Sequence, residues 1–325
     1  MSGRATRSAR GGYSPAMARM IHTGQALVDY VLDVPHLPPR GGNVYAGTDR
    51  RSAGGSVNIL VAAARNGVDA VFAGAHGTGL NGELIRATLA REGVTVVNPP
   101  ETDIDSGICV CLLEREERTF VTTLGAERRI TVPALDASHP QAGDVVGVDG
   151  YTLVLPQTAK PMLAWLSSLP VDVLTVLDPG GGFAEQPDQV RRAATDATRV
   201  WTSNLSEAQA YVSVSGGVAP DSLTAATDAV AALLPHAVVV VRDGPAGCAV
   251  REAGVTTLVA GFPREPVDTN GAGDAHTGIL VAGFLSGLTW TQAAVRANLG
   301  AAIKVTRLGP ATAPSAAEID AALAG

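Results

Sequence analysis

Residues 268–284 read Asp268-Thr269-Asn270-Gly271-Ala272-Gly273-Asp274 and then Ala275-His276-Thr277-Gly278-Ile279-Leu280-Val281-Ala282-Gly283-Phe284. The pattern is a glycine-hinged turn that becomes an apolar helix, with one carboxylate where the helix begins. Gly271 and Gly273 let the backbone bend where a Cβ would clash, and let a ligand approach closely. Thr269 or Asn270 is expected to cap the helix. The free N–H groups near Ala272, Gly273 and Asp274 then point out of a helix end that carries partial positive charge. That is an anion site. An acidic side chain there competes with a bound anion, unless the anion is a phosphoryl group in transit and Asp274 faces the hydroxyl that attacks it. The helix dipole is expected to keep Asp274 ionised.

Other glycine motifs fail on the spot. A dinucleotide fingerprint G-x-G-x-x-G would need a third glycine at position 276, which is His276. A phosphate loop needs Gly-Lys-Ser/Thr, and the only lysines, Lys160 and Lys304, precede Pro161 and Val305. The plain alternative is a capped core helix whose Asp274 satisfies backbone donors. Further motifs decide between the two.

A chain of 325 residues can form one large α/β domain or two small ones. Its formal charge of -7 argues against nucleic acid or an anionic membrane surface as partner. No apolar stretch reaches the length of a membrane span; the longest, near Ile279–Leu285, is broken by glycine. Residues 1–18 are basic and small-residue-rich without an apolar signal core, and read as a disordered tail. Cys109 and Cys111 alternate in a strand and share one side, while Cys248 stands alone. Reduced, packed thiols in a cytoplasmic protein follow.

Strand–helix–strand alternation begins with the apolar segment Met20–Val34, read as a strand pair broken at Pro35, with Asp29 inside it. Val44–Ser52 reads as an exposed strand. Gly54-Gly55-Ser56-Val57-Asn58 opens a helix that ends at Gly67. Asp69–Gly74, Val94–Val97, Val145–Val148, Val171–Leu177, Arg199–Ser203 and Ala237–Val241 read as strands, interleaved with helices. A hairpin, Ser106–Leu113 and Arg118–Leu124, surrounds a charged turn at 114–117. Polar or glycine-rich residues gather after successive strands: Asp149-Gly150, Asp178-Pro179, Asn204-Leu205-Ser206-Glu207 and Arg242-Asp243-Gly244. Open α/β sheets bind ligands at those ends.

Asp268 to Asp274, with the small-residue helix behind it, resembles the signature of the ribokinase-like (PfkB-type) carbohydrate kinases, and further matches spread over nearly the whole chain after residue 20. The resemblance implies a doubly wound, mostly parallel α/β sheet with helices on both faces over residues 19–325. A small β-sheet lid is implied from segments of about 28–53 and 105–127, used in a homodimer. It implies ATP-dependent phosphorylation of a hydroxyl on a sugar or sugar-like polyol. Asp274 is then the catalytic base, with Gly271, Ala272 and Gly273 as the anion hole. Asp29, Gly54, Gly55 and Asn58 match sugar contacts, with Asp149 on the same rim. A carboxylate in an apolar strand needs donors, so Asp29 needs a partner.

Asn204-x-x-Glu207 matches the element near Mg²⁺ and the nucleotide phosphates, although a capping box alone would explain it. Glu207 and Asp268 are the metal-side carboxylates. Arg242, Gly244 and Gly247 occupy the turn against the nucleotide, with arginine replacing the family's small hydroxyl residue. Asn298 and the segment Val305–Pro310 resemble the adenine-side helix and the loop that holds a monovalent cation such as K⁺ in some members. The six histidines show no ligand spacing and are structural. Three rivals stay open: a nucleoside kinase with Tyr30, Tyr45 and Phe120 stacking on a base, a non-catalytic sugar- or nucleotide-binding regulator, and an NAD enzyme disfavoured by His276.

Overall fold

In chain order, β1 (Arg19–His22), β2 (Ala26–Asp33) and β3 (Thr48–Gly55) lead to α1 (Ser56–Arg65), β4 (Asp69–Phe72), α2 (Leu80–Arg91) and β5 (Thr95–Val96). The hairpin β6 (Ile108–Glu114) and β7 (Glu117–Thr122) precedes the short helix α3 (Val132–Asp136). Then come β8 (Val145–Asp149), α4 (Pro156–Leu166), β9 (Leu174–Asp178), α5 (Asp188–Ala197) and β10 (Val200–Asn204). Helices α6 (Leu205–Val214) and α7 (Leu223–Leu233) are followed by β11 (Val238–Arg242), β12 (Gly247–Glu252) and β13 (Val255–Ala260). The chain closes with α8 (Ala272–Leu285), α9 (Trp290–Lys304) and α10 (Ala316–Ala324). These elements come from a computed structural model that describes residues 18–115 and 117–325. The expected tail, but for Ala18, lies outside the described residues.

Nine strands form one sheet in the order β13-β12-β11-β10-β9-β8-β1-β4-β5. All neighbouring pairs are parallel except β11–β12 and β12–β13, so β12 alone runs against the rest. Successive side chains alternate between two cores because the strand period is two. Ile21, Val146, Val239 and Val241 pack on one face with Trp165, Trp201 and Tyr211. Met20, Val145, Val240 and Val250 pack on the other with α1, α8 and α9 residues such as Ile59, Ile279 and Ala294. Helices therefore cover both faces. Helix α8 is buried from Ala275 to Gly283, so its apolar residues on all sides are a requirement of its position. Gly278 lets it touch α1: a Cβ there would lie 2.3 Å from the Ile59 carbonyl oxygen. Among the described residues, no helix is long and apolar enough to cross a membrane.

A second sheet, β3-β2-β6-β7, stands apart as the lid. Paired residues share a sheet face. Asp29, Ser52, Cys109 and Thr122 form one row, and Val31, Cys111 and Phe120 the next row on the same face. Tyr30, Val110 and Val121 point the other way. Val28 and Ala53, at the foot of the lid, join the core of α1 and α2.

Two expectations need correction. The segment Met20–Val34 does contain two strands, but they do not pair; β1 lies in the main sheet and β2 in the lid. The exposed strand begins at Thr48 rather than Val44 and runs on to Gly55, where it pairs with Ala26. Helix α5 had no sequence reading because its face is nearly all polar, burying only Ala194 and Thr195.

Candidate active site

The Asp268–Asp274 turn is held by its first residue. Asp268 Oδ1 accepts from the Asn270 amide at 2.9 Å, and Oδ2 accepts from the Gly309 amide at 3.0 Å. The Arg118 guanidinium of the lid stands 3.6 Å from Oδ1. Both carboxylate oxygens thus accept from the protein's own donors, and Asp268 holds the turn in place. Neither Thr269 nor Asn270 caps α8. The N-cap is Gly271, left-handed at φ 76°, because the neighbouring side chains are engaged elsewhere. Thr269 Oγ1 accepts from Arg118 at 2.6 Å, and Asn270 Nδ2 donates to Asp29 at 3.3 Å. A Cβ on Gly271 would lie 2.5 Å from the Pro310 carbonyl oxygen, so only glycine fits this hinge.

The Ala272 amide donates to the Thr269 carbonyl at 3.3 Å and Ala275 closes the first turn on Gly271. Among the described residues, the amides of Gly273 and Asp274 find no acceptor. The free donors of the helix end are therefore narrower than expected, and they lie beside the carboxylate.

Asp274 is half-buried. Burial pushes its pKa up to about 7, with Asp178 and Asp29 adding to the rise, while the Asn58 hydrogen bond and Arg242 oppose it. Burial works against the helix end that was expected to keep this group ionised, and the group titrates around neutral pH in the free enzyme. A helix dipole contributes about 0.3–1 kcal/mol, less than a tenfold change in ionisation, and desolvation outweighs it.

Asn58 Nδ2 donates to Asp274 Oδ2 at 2.8 Å, joining the Gly54-Gly55 turn to the α8 carboxylate. Asn58 Oδ1 is buried and has no hydrogen-bond partner among the described residues. Gly54 makes room for Asp29: a Cβ would lie 2.3 Å from the Asp29 Oδ2 atom. Gly55, at φ 65°, passes so close to Gln25 that a Cβ would meet its carbonyl oxygen at 2.3 Å. Burial raises the Asp29 pKa to about 6, against a lowering by Asn270, and Asp268 raises it further. Asp29, Gly54, Gly55, Asn58, Asn270 and Asp274 thus form one connected group.

Asp149 does not join it. Its Oδ2 accepts from the Gln25 amide at 3.0 Å, and Oδ1 accepts from the Thr152 amide at 2.8 Å and hydroxyl at 2.9 Å. It pins the β1–β2 turn onto the end of β8.

On the other side of Asp274, three strand ends converge. Arg242 Nη2 donates to Asp178 Oδ2 at 3.0 Å, Nη1 to the Gly273 carbonyl at 2.7 Å, and Nε to the Ser203 carbonyl at 3.2 Å. A cation is thereby fixed against the first turn of α8. Asn204 and Glu207 form a full capping box, at 2.8 and 2.9 Å. The box uses Glu207 Oε2, and among the described residues no donor reaches Oε1. Burial raises the Glu207 pKa and the Asp178 carboxylate raises it further, with Arg242 opposing.

Among the described residues, no three His, Cys, Asp or Glu side chains cluster as metal ligands. Glu207 and Asp178 nevertheless suit Mg²⁺, a hard cation that keeps most of its waters and would relieve the repulsion between these carboxylates. Gly244, at φ 49°, has open space where a Cβ would stand, whereas Gly247 is pressed on the Val259 carbonyl at 2.2 Å. Asn298 is buried: its Oδ1 accepts from His276 Nε2 at 3.1 Å, and its Nδ2 donates to the Val259 and Ala260 carbonyls at 3.0 and 3.1 Å. Its amide ties α8, α9 and β13 together and has no proton left for a ligand.

Sequence reasoning missed Asp178, Arg118, Asn270 and Lys304. Asp178 carried a signal, a carboxylate at the C-terminal end of a buried strand. Arg118 and Lys304 carried none, since a charged residue in a lid strand or a last helical turn is ordinarily solvated.

A family model for pfkB family carbohydrate kinases matches residues 17–317. The uncharacterised sugar kinase YegV of Escherichia coli (strain K12) is 29% identical over 308 residues, covering 91% of each chain. The ATP-dependent ribose-1-phosphate kinase of Halopiger xanaduensis is 26% identical over 317 residues, covering 94% of this chain and 98% of its own. Among solved structures, the ribokinase of Cryptococcus neoformans in complex with ADP superposes with a TM-score of 0.82 at 19% identity, covering 94% of this chain and 99% of its own.

Proposed function

The chain belongs to the pfkB family of carbohydrate kinases, and from that premise we propose that it transfers the γ-phosphoryl group of ATP to a hydroxyl of a small sugar or sugar-like polyol. The observation that carries this reading is the Asn58–Asp274 hydrogen bond at 2.8 Å, which sets an acceptor-binding turn against a carboxylate beside free helix amides. Asp274 orients the attacking hydroxyl and takes its proton; a pKa near 7 makes it a stronger base once ionised. The Gly273 and Asp274 amides receive charge that develops on the transferring group, and Arg242 adds a fixed cation behind them. Asp29 and the unpartnered Asn58 Oδ1 accept from polyol hydroxyls. Glu207 and Asp178 would hold Mg²⁺, which would neutralise phosphate charge when bound. Gly244, with nothing near its Cβ position, leaves room for the nucleotide.

A sugar fits better than a nucleoside. Of the three aromatic residues that could stack on a base, only Phe120 shares the sheet face of Asp29. Tyr30 lies on the opposite face, and Tyr45 is 86% exposed on the loop before β3. One ring gives a platform rather than a clamp. We also infer that a second copy covers the lid, because Phe120, Val121 and Leu124 are more than half exposed there.

A coupled ADP-release screen over sugars, sugar acids and nucleosides tests the reading. Turnover with a polyol is expected. Turnover confined to nucleosides would move the substrate class, and polyol binding without ATP turnover would make the chain a binding protein.

A further inference from the structure

The resemblance of the 305–310 segment implies a monovalent cation held by backbone carbonyls, and the residues around that segment do not fit one. The segment folds onto the catalytic turn: the Val267 and Asp268 amides donate to the Val305 carbonyl at 2.7 and 3.0 Å, and Gly309 donates to Asp268 Oδ2. At this junction the Asp268 carbonyl, a candidate cation ligand, already accepts from Lys304 Nζ at 2.7 Å.

Lys304 is 0% exposed, a rare state for lysine. An ammonium group has three donors, and the Asp268 carbonyl is its one hydrogen-bond partner among the described residues. A lysine that merely ended α9 would turn its head to water. This one runs under the turn that carries Gly271, Gly273 and Asp274.

We propose that Lys304 is a built-in monovalent cation: its ammonium holds the Asp268 carbonyl and so the anion-hole turn, a task that an exchangeable ion performs in other members. It acts through the turn, as a positioning residue. Burial lowers its pKa to about 8, with Arg118 adding to the fall and Asp268 and Asp274 opposing it, so the group stays mostly charged at neutral pH. A tethered cation needs no capture from solution, and the turn is then ordered whatever salt is present.

The proposal rests on the kinase reading for its consequence but not for its test. Lys304→Met keeps the bulk and removes the charge, and Lys304→Gln is a second variant that keeps polarity. Wild type and variants are compared at matched ionic strength in potassium, ammonium and choline chloride. Wild-type kcat and melting temperature are expected to be the same in all three. The variants should lose kcat in choline by roughly tenfold to a hundredfold, the range for a charged hydrogen bond. Potassium or ammonium should restore part of that loss, with KM for the polyol little changed, and should raise their melting temperatures.

Several-fold activation of wild type by potassium over choline would overturn the proposal. So would variants that respond to salt in neither rate nor melting temperature, or that fold in none of the salts, since those results describe a packing role. Salt-rescued melting without turnover on any substrate would keep the Lys304 assignment and sink the kinase reading.

Discussion

Asn58, the third residue of α1, donates its side-chain amide to the Asp274 carboxylate at 2.8 Å, across 216 residues of sequence. The bond places the glycine turn before α1 and the glycine turn before α8 around one point. It also lowers a pKa that burial drives up. Geometry and protonation of the proposed base therefore depend on the same residue.

Replacing Asp274 with Asn should lower kcat by roughly 10²–10⁴-fold, the range for losing a general base. Nucleotide affinity, read by titration calorimetry, should hardly move. Near wild-type turnover would remove Asp274 from the mechanism.

The pH profile follows from the raised pKa. The base must be ionised to work, so kcat/KM should rise with pH through about 7. Asn58→Ala deletes a hydrogen bond that lowers this pKa, and the limb should shift to higher pH. A limb that stays put in N58A would mean that another group controls the profile.

Asp29→Ala should raise KM for the polyol by roughly tenfold to a hundredfold, from the loss of charged hydrogen bonds worth about 1.5–3 kcal/mol. Its effect on stability has the opposite sign from a salt bridge. The folded-state pKa is raised to about 6 from 3.8, so the fold binds the proton more tightly and loses stability as pH rises through that window. The variant should therefore melt no lower than wild type at pH 7, with its relative advantage shrinking as pH falls from about 6 towards 4. A lower melting temperature with an unmoved KM would make Asp29 structural.

Glu207→Gln keeps a residue that can complete the capping box with Asn204, so the fold should hold. Loss of the charge should raise the Mg²⁺ concentration needed for half-maximal rate while polyol binding without nucleotide is unchanged. An unmoved Mg²⁺ titration would reduce Glu207 to its cap.

Sedimentation should show a dimer, because the lid exposes apolar side chains on both faces. Phe120→Lys and Val121→Lys probe the two faces separately, and one of them should yield monomers. A monomeric wild type would end the dimer proposal and leave the lid intact.

Much of the site was legible because its demands on the backbone are local. Gly54, Gly55, Gly271 and Gly273 mark close approaches that a Cβ would block at under 3 Å, and such needs appear directly as residue type. The strand ends were legible too, since parallel strands buried on both faces must be apolar and their loops must not be. Asp149, Asp268 and Asn298 were harder to read for the converse reason. A carboxylate or amide in the right loop serves equally well to bind a ligand or to satisfy backbone groups, and residue type does not distinguish the two.

The sequence by itself determined the doubly wound sheet, the two glycine turns at helix starts and the carboxylate at the head of α8, because these follow from side-chain period and backbone sterics over a few residues. Only the tertiary structure decided that Asn58 meets Asp274, that Arg242 lies against Gly273, that Asp268 is already occupied, and that Lys304 is buried with one carbonyl partner. Each of these is a contact between elements far apart in the chain. Burial and charge around such a contact come from all the elements that converge on it, and they set whether a group is a base, a clamp or a buried cation.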